Sequence, residues 1–171
     1  MKDDNNYVPF KQKTPKVLVL CLSDGKDNIN SPVFITRMKE KFPNAEVTDF
    51  SSEISESSSS ELVTRCKDYD YVVAGVFAKI KFGTGKISIL PSQSGLLTSI
   101  SGSGAKLITI SFGNPYLLNE FSSVPNYICV YGDADVSINA AVKSLAGEIR
   151  IGGKLPVSIN EQYSFGKGIV R

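Results

Sequence analysis

The side chains that most enzymes use for catalysis are sparse in this sequence. It contains no histidine, which excludes Ser-His-Asp and Cys-His machinery and any histidine-based metal site. The three cysteines, Cys21, Cys66 and Cys129, are far apart and lack CxxC spacing, a pattern that argues against zinc and against a disulfide framework. Cys21 and Cys129 lie inside apolar runs and are predicted to be small core residues rather than reactive thiols. We therefore expect no metal site, no cofactor and no catalytic thiol.

Two segments suggest phosphate binding at first sight but lack the residues that it requires. A dinucleotide fold needs G-x-G-x-x-G where the first apolar run leads into a helix, yet residues 22–27 contain one glycine, Gly25. Residues 83–86, Gly-Thr-Gly-Lys, resemble the end of a P-loop. However, Ile87 stands where a Ser or Thr would bind magnesium, and no glycine lies five residues before Gly85. We predict a glycine turn with solvated lysines here.

Carboxylates are missing from a long central stretch. From Tyr71 to Asn119 there is no Asp or Glu, and the charged residues are Lys79, Lys81, Lys86 and Lys106. The paired carboxylates of glycoside hydrolysis cannot come from this stretch. Its lysines face either water or an acidic partner surface.

The overall composition is that of one globular domain. The chain has 171 residues, of which 42% are hydrophobic and 21% charged, and its formal net charge is +2. This balance does not indicate a surface for nucleic acid or a membrane, and no apolar run approaches the roughly 20 residues of a membrane span. No basic and apolar leader opens the sequence, so it indicates no compartment.

Apolar runs and helical periodicities alternate along the chain. Ser31-Pro32 and Pro43 delimit the first helix, and Ser58 with Glu61 has capping-box spacing before the second. Strands are predicted at residues 16–22, 45–50, 71–76, 107–112, 127–131 and 155–159. Helices are predicted after Ser31, after the serine-rich loop 51–60 with Leu62, Val63 and Cys66 on it, after Pro91 and over about 133–149.

This alternation predicts an α/β fold, a three-layer α/β/α sandwich with a mostly parallel sheet of about five or six strands. Ligands of such sheets bind beyond the carboxyl ends of the strands. The segment 79–90, which follows the strand at 71–76, and Asn114, which follows the strand at 107–112, are therefore candidate functional positions.

Three stretches near the C-terminus occur together in a known family. Residues 111–118 read SFGNPYLL, residues 147–159 read GEIRIGGKLPVSI, and residues 163–168 read YSFGKG. In this order they resemble motifs of the C-terminal α/β sandwich domain of glycoside hydrolase family 3. Residues 5–10, NNYVPF, followed by the first strand, resemble that family's lead-in to the domain.

The resemblance implies a division of the chain and a partner. Residues 1–15 would be a lead-in segment from an upstream domain, 16–159 the sandwich, and 160–171 a C-terminal tail packing on it. In this family an N-terminal (β/α)8 barrel carries the nucleophilic Asp and most sugar-binding residues, and 171 residues leave no room for it. The expected partner is therefore that barrel of the same protein, with carbohydrate as a further possibility.

The resemblance also bears on catalysis. Many β-glucosidase-like members donate the acid/base Glu from the loop after the strand similar to residues 71–75, but here residues 76–82 contain no carboxylate. The β-N-acetylglucosaminidase branch takes this group from the barrel instead. The chain thus resembles the non-catalytic C-terminal domain of a β-N-acetylhexosaminidase-like protein. The loop facing substrate or barrel would present Lys79, Lys81, Phe82, Lys86 and Asn114.

Several alternatives remain open at this level. The apolar residues Ile80, Phe82, Ile87, Ile89 and Leu90 are either exposed for the barrel or buried under the sheet. A stand-alone carbohydrate- or small-ligand-binding module would use the loops around Asp24, residues 79–87 and Asn114. A residual hydrolase would use Asp24, Asp27 and Glu120, and a structural or dimerising domain would use none of these residues.

Overall fold

A computed structural model of the protein describes residues 2–25, 30–78 and 89–170. Its elements follow the predicted alternation of strands and helices. In chain order they are β1 (Lys2–Asp3), β2 (Val17–Ser23), α1 (Ser31–Lys41), β3 (Glu46–Phe50), α2 (Glu56–Arg65), β4 (Tyr71–Phe77), α3 (Pro91–Gly102), β5 (Leu107–Ser111), β6 (Asn126–Cys129) and α4 (Asp135–Leu145), with 3-10 turns at Cys66–Asp68 and Pro115–Asn119.

The six strands form one sheet in the order β1-β6-β5-β4-β2-β3. β2 to β6 are mutually parallel, and β1 joins β6 antiparallel through the pair Lys2 and Tyr127. The inner strands β2, β4 and β5 are buried on both faces, as their continuous apolar runs predict. The strand order reverses between β2 and β4, which places the topological switch of the sheet there.

Alternate residues of each strand support two separate cores. Leu18, Leu20 and Leu22 face the layer of α2 and α3, whereas Val17 and Val19 face the layer of α1 and α4. Helices therefore cover both faces of the sheet, and the predicted three-layer sandwich is confirmed. In the part of the chain that the structure describes, no helix is long and apolar enough to cross a membrane.

The lead-in segment packs on the second of these cores. Val8 is buried, and the Phe10 ring stacks on Tyr71 with 4.2 Å between centroids. The backbone N–H of Phe10 donates to the carbonyl of Leu145 at 2.8 Å, which ties the segment to the end of α4.

The structure corrects several predicted boundaries. α1 begins at Ser31, but its N-cap is Asn30, and the N-cap of α2 is Ser55 rather than Ser58. The last helix is shorter than predicted because it ends at Leu145, and β6 ends at Cys129.

The predicted strand at residues 155–159 is wrong. Its backbone bonds inside the C-terminal segment instead of joining the sheet, with Leu155 N donating to Lys167 O and Ile159 N to Tyr163 O, both at 2.8 Å. Gly168 lies so close to the backbone of Gly153 that a Cβ would collide with the Gly153 carbonyl. The segment thus forms an irregular cover on the face of α2 and α3, with Leu155 and Ile159 turned into the core.

Candidate functional site

The carboxyl ends of β4, β5 and β6 border an open cleft of about 430 Å³. Parallel strands all end at this edge, so the residues that follow them are brought together although they are distant in sequence. The described residues lining the cleft are Ala78, Phe112, Gly113, Asn114, Pro115, Tyr116, Tyr131 and Asp133.

Asn114 is held by the turn that leaves β5. The Ser111 hydroxyl donates to the Asn114 carbonyl at 2.8 Å, and the Asn114 Oδ1 accepts from the backbone N–H of Tyr116 at 2.8 Å. The side-chain oxygen therefore caps the 3-10 turn Pro115–Asn119. Asn114 lies at this edge as predicted. Its backbone and side-chain carbonyl oxygens both accept hydrogen bonds within the turn itself.

Two tyrosines give the cleft an aromatic character. Tyr116 is 44% exposed and Tyr131 is 43% exposed, so both rings are accessible from solvent. Tyr131 follows β6 with a left-handed backbone at φ 62°. Burial of part of the side chain, with a smaller contribution from Cys129, raises the pKa of Tyr131 to about 12; like an ordinary tyrosine, its phenol is neutral at physiological pH.

The floor behind the cleft is a rigid aromatic cluster. Phe77 and Phe112 stack with 4.6 Å between ring centroids, and Phe34 packs against both at 6.0 and 5.2 Å. A Cβ on Gly75 would lie 2.5 Å from Phe34 Cε1, so the glycine in the middle of β4 leaves room for that ring.

Buried Gln93 organises the neighbouring part of this edge, where β2 and β3 end. Its Nε2 donates to the carbonyls of Ser23 at 2.8 Å and Phe50 at 3.2 Å, which fastens the start of α3 to the ends of β2 and β3. Within the described residues its Oε1 accepts no hydrogen bond.

The charges at this edge do not form a catalytic pair among the described residues. Asp133 is the one carboxylate in the described lining of the cleft, and its Oδ2 accepts from Asn30 Nδ2 at 2.8 Å. General acid/base hydrolysis of a glycoside uses two carboxyl groups. Of the acids considered for a residual hydrolase, Asp24 follows β2, Glu120 follows the 3-10 turn, and Asp27 lies outside the described residues.

The thiols are protonated rather than nucleophilic. Burial raises the pKa of Cys66 to about 11 and also raises the pKa of Cys21 and of Cys129. Cys21 and Cys66 are core residues, which confirms the prediction for Cys21. Cys129 is half-buried, so its assignment to the core was only partly correct. Over the ranges 2–25, 30–78 and 89–170 no cluster of three potential metal ligands is present.

Solved structures of glycosidases share this architecture. A fungal multi-domain GH3 β-N-acetylglucosaminidase is 21% identical with a TM-score of 0.74, over 94% of this chain and 17% of that chain. A β-glucosidase from Listeria innocua is 17% identical with a TM-score of 0.76, over 93% and 25%. A glycoside hydrolase family 3 β-N-acetylglucosaminidase from Paenibacillus sp. str. FPU-7 is 17% identical with a TM-score of 0.73, over 93% and 30%. This is the fold of one domain of family 3 glycoside hydrolases.

The matches also show how small a part of each glycosidase this domain is. The chain spans between 17% and 30% of the length of these three glycosidases, so the family 3 domain fold is a minor part of each. No protein-family model and no curated protein matches the sequence. The sequence motifs predicted the fold of a family 3 domain, and the similarity to these solved structures confirms that fold.

Most of the other predicted site residues cannot be placed on this fold. Lys79, Lys81, Phe82 and Lys86 lie outside the described residues, as do Ile80 and Ile87. Ile89 is buried in the core below α3 and Leu90 is half-buried, which favours burial for these two members of the apolar set.

Sequence reasoning missed Tyr116, Tyr131 and Asp133 in the cleft, and Gln93 beside it. The rule that ligands bind at the carboxyl ends of parallel strands was a usable signal for Tyr131 and Asp133, because both follow the last parallel strand. No signal of this kind marks Gln93, whose role depends on three segments that meet only in the folded chain.

Proposed function

We propose that this chain is a non-catalytic domain of a family 3 glycoside hydrolase of the β-N-acetylhexosaminidase type. The whole protein would hydrolyse β-glycosidic bonds of terminal N-acetylglucosamine, and the catalytic groups would lie on a (β/α)8 barrel. The observation that carries this proposal is the composition of the segment after β4. Residues 78–90 contain lysines, glycines and apolar residues but no carboxylate.

The geometry supports a docking role for the carboxyl edge of the sheet. Tyr116 and Tyr131 present exposed rings beside the end of β4, while Asn114 and Asp133 are fixed by hydrogen bonds. An edge with exposed aromatic rings and ordered polar groups suits a protein interface. The segment 79–88, with its three lysines and Phe82, continues from this edge in sequence and belongs to the same proposed surface.

The test compares the polypeptide in three forms. The coding sequence around this chain is read for a (β/α)8 barrel, and the whole polypeptide, the barrel and the 171-residue chain are expressed separately. We expect the whole polypeptide to hydrolyse an aryl N-acetyl-β-glucosaminide, the 171-residue chain to be inactive, and the two parts to co-purify. Turnover by the 171-residue chain at enzyme-like rates, or a reading frame without a barrel, would overturn the proposal.

A second candidate function is a carbohydrate-binding module that uses the same cleft. It is favoured by the two exposed tyrosines, because aromatic faces next to hydrogen-bonding groups are typical of ligand sites. Titration of the chain with N-acetylglucosamine and its β-1,4-linked disaccharide tests this alternative. Saturable binding that Tyr131→Ala abolishes would favour the module, and no binding would leave the docking role.

A further inference from the structure

A second cavity lies at the β1–β6 edge of the sheet and shares no described lining residue with the cleft at the carboxyl ends of the strands. It has a volume of about 220 Å³ and lies between the β1–β6 edge and the C-terminal segment. Its described lining consists of Lys2, Asp4, Leu118, Tyr127, Cys129, Leu155, Ile159, Gln162, Tyr163, Lys167, Gly168 and Ile169.

The cavity exists because an irregular segment, rather than a helix, covers β6 on this face. The backbone of that segment is satisfied internally, by bonds such as Gly166 N to Leu155 O at 2.8 Å. Leu155 and Ile159 reach the core, yet the space above Tyr127 and Cys129 stays open. Protein interiors are close-packed, and 220 Å³ is the share of about seven water molecules in the liquid.

The wall of this cavity is apolar. Leu118, Leu155 and Ile159 are buried aliphatic residues of the core. Tyr127 is nearly inaccessible to solvent, and burial strongly raises the pKa of its phenol. Its hydroxyl donates to the Pro115 carbonyl at 3.4 Å, so the ring contributes mainly apolar surface. Such a wall favours the aliphatic or aromatic body of a small molecule.

The polar groups of the cavity carry more positive than negative charge. The Lys2 side chain is only 12% exposed, and its ammonium contacts the Ser122 carbonyl at 3.2 Å and the largely exposed Asp4 carboxylate at 3.5 Å. An ammonium has three donor hydrogens, which leaves one for a further acceptor. Lys167 donates to the Gln162 carbonyl at 2.7 Å and forms no ion pair with any residue of the described ranges.

We propose that this cavity is a binding site for a small amphipathic carboxylate. The carboxylate would accept from the ammonium groups of Lys2 and Lys167, and an apolar body of about six carbons would lie against Leu118, Leu155 and Ile159. Charge-assisted hydrogen bonds to the half-buried Lys2 and the exposed Lys167 give the orientation, and the apolar wall gives the size limit. The inference does not depend on the proposed docking to a barrel.

Nuclear magnetic resonance titration of the 171-residue chain tests the proposal, with sodium hexanoate as the probe and hexanamide as its neutral analogue. We expect saturable shifts of the amides of residues 2–4, 127–129 and 155–169, and binding of hexanamide that is at least about fivefold weaker. Lys167→Met removes a charge but keeps the length of the side chain, and is expected to weaken hexanoate binding by a similar factor. Lys143→Met, on the exposed face of α4, is the control and leaves binding unchanged.

Ile159→Phe provides a second variant, because it fills the cavity with a larger apolar side chain. It is expected to abolish the shifts, and circular dichroism verifies that it folds. If Ile159→Phe does not fold, Lys167→Met alone tests the proposal. Lys167 is exposed, so its substitution is expected to leave the fold intact. Absence of saturation at tens of millimolar hexanoate, or equal affinity for hexanoate and hexanamide, would overturn the assignment.

Discussion

At the scale of single residues, Gly75 and Phe34 show how one position shapes the carboxyl edge. Gly75→Ala would bring a methyl group to 2.5 Å from Phe34 Cε1, and the ring cannot retreat easily because Phe77 and Phe112 pack against it. We expect a loss of about 1–3 kcal/mol in the free energy of unfolding, measured by urea denaturation followed by circular dichroism.

Gly95→Ala is the matched control for this substitution. Gly95 lies exposed inside α3, where a Cβ meets nothing within 4 Å, so alanine is expected to stabilise the protein by about 0.5–1 kcal/mol. Phe34→Leu in the Gly75→Ala background should restore part of the loss. If both glycine substitutions changed stability in the same direction, the steric role of Gly75 would be disproved.

The residues of the cleft show what could be predicted at this scale. Asn114 was correctly placed at the end of β5, because the Asn-Pro pair and the preceding apolar run mark a strand that turns. The orientation of its side chain was not predictable, since it depends on the 3-10 turn that follows. Tyr131 reaches the cleft through a left-handed backbone, and no local pattern in the sequence announces that conformation.

At the scale of elements, α2 begins in a serine-rich stretch, and the structure shows which serine caps it. The sequence predicted a cap at Ser58, whereas in the structure the Ser55 hydroxyl accepts from Ser58 N at 3.2 Å and Ser58 lies within the helix. We expect Ser55→Ala to cost about 1 kcal/mol in thermal or urea unfolding. Ser58→Ala should have almost no effect, because alanine suits a helix at least as well as serine. If Ser58→Ala lowered the free energy of unfolding more than Ser55→Ala does, the predicted capping box at Ser58 would be supported instead.

Strands that are buried on both faces were predictable from the sequence. Strands that form only because a neighbouring strand pairs with them were not. β2, β4 and β5 are continuous apolar runs in the sheet interior, and their positions agree with the prediction to within one residue. β1 is two polar residues long and exists because β6 offers an unpaired edge. Residues 155–159 have the composition of a strand, but their backbone groups bond to residues 163–167 of the same segment.

The ion pair between α1 and α4 predicts how the stability of the protein changes with pH. Arg37 donates to both oxygens of Asp135, at 3.0 and 2.8 Å, and these hydrogen bonds lower the pKa of Asp135. A lowered pKa stabilises the fold above the pKa of the unfolded chain, and this contribution is lost as the pH falls through the folded value. Asp135→Asn is therefore expected to be less stable than the wild type at pH 7.

The difference between Asp135→Asn and the wild type should shrink as the pH falls below the ordinary pKa of an aspartate, and vanish once Asp135 is protonated in the folded as well as the unfolded state. Thermal unfolding of both proteins across this range measures it. Glu61→Gln, an exposed acid of α2 outside the ion pairs of the described residues, is the control and should show no such convergence. A difference that persisted at low pH would assign the role of Asp135 to something other than its charge.

At the scale of the whole molecule, the alternation of elements and the family resemblance predicted the same architecture, and the structure has it. Motifs in residues 111–118, 147–159 and 163–168 correspond to a turn, a helix end and an irregular cover, so they mark connections rather than a catalytic centre. The architecture matches glycosidase domains at TM-scores of 0.73 to 0.76 although identity does not exceed 21%.

The position of the docking surface is the remaining whole-molecule prediction. We expect Phe82→Asp, in the segment that follows β4, to leave the unfolding midpoint unchanged and to abolish association with a separately expressed barrel. Phe165→Asp makes the same chemical change on the C-terminal segment, where Phe165 is 73% exposed, and should leave association intact. Analytical ultracentrifugation of each variant with the barrel measures both effects.

The two variants also discriminate between faces of the domain. Burying an unpaired carboxylate in an interface costs several kcal/mol, so the face that contacts the barrel must respond strongly and the other face hardly at all. Loss of association with Phe165→Asp alone would move the interface to the C-terminal segment, next to the second cavity. Hexanoate would then be expected to compete with the barrel, whereas docking through the carboxyl edge predicts that both bind together.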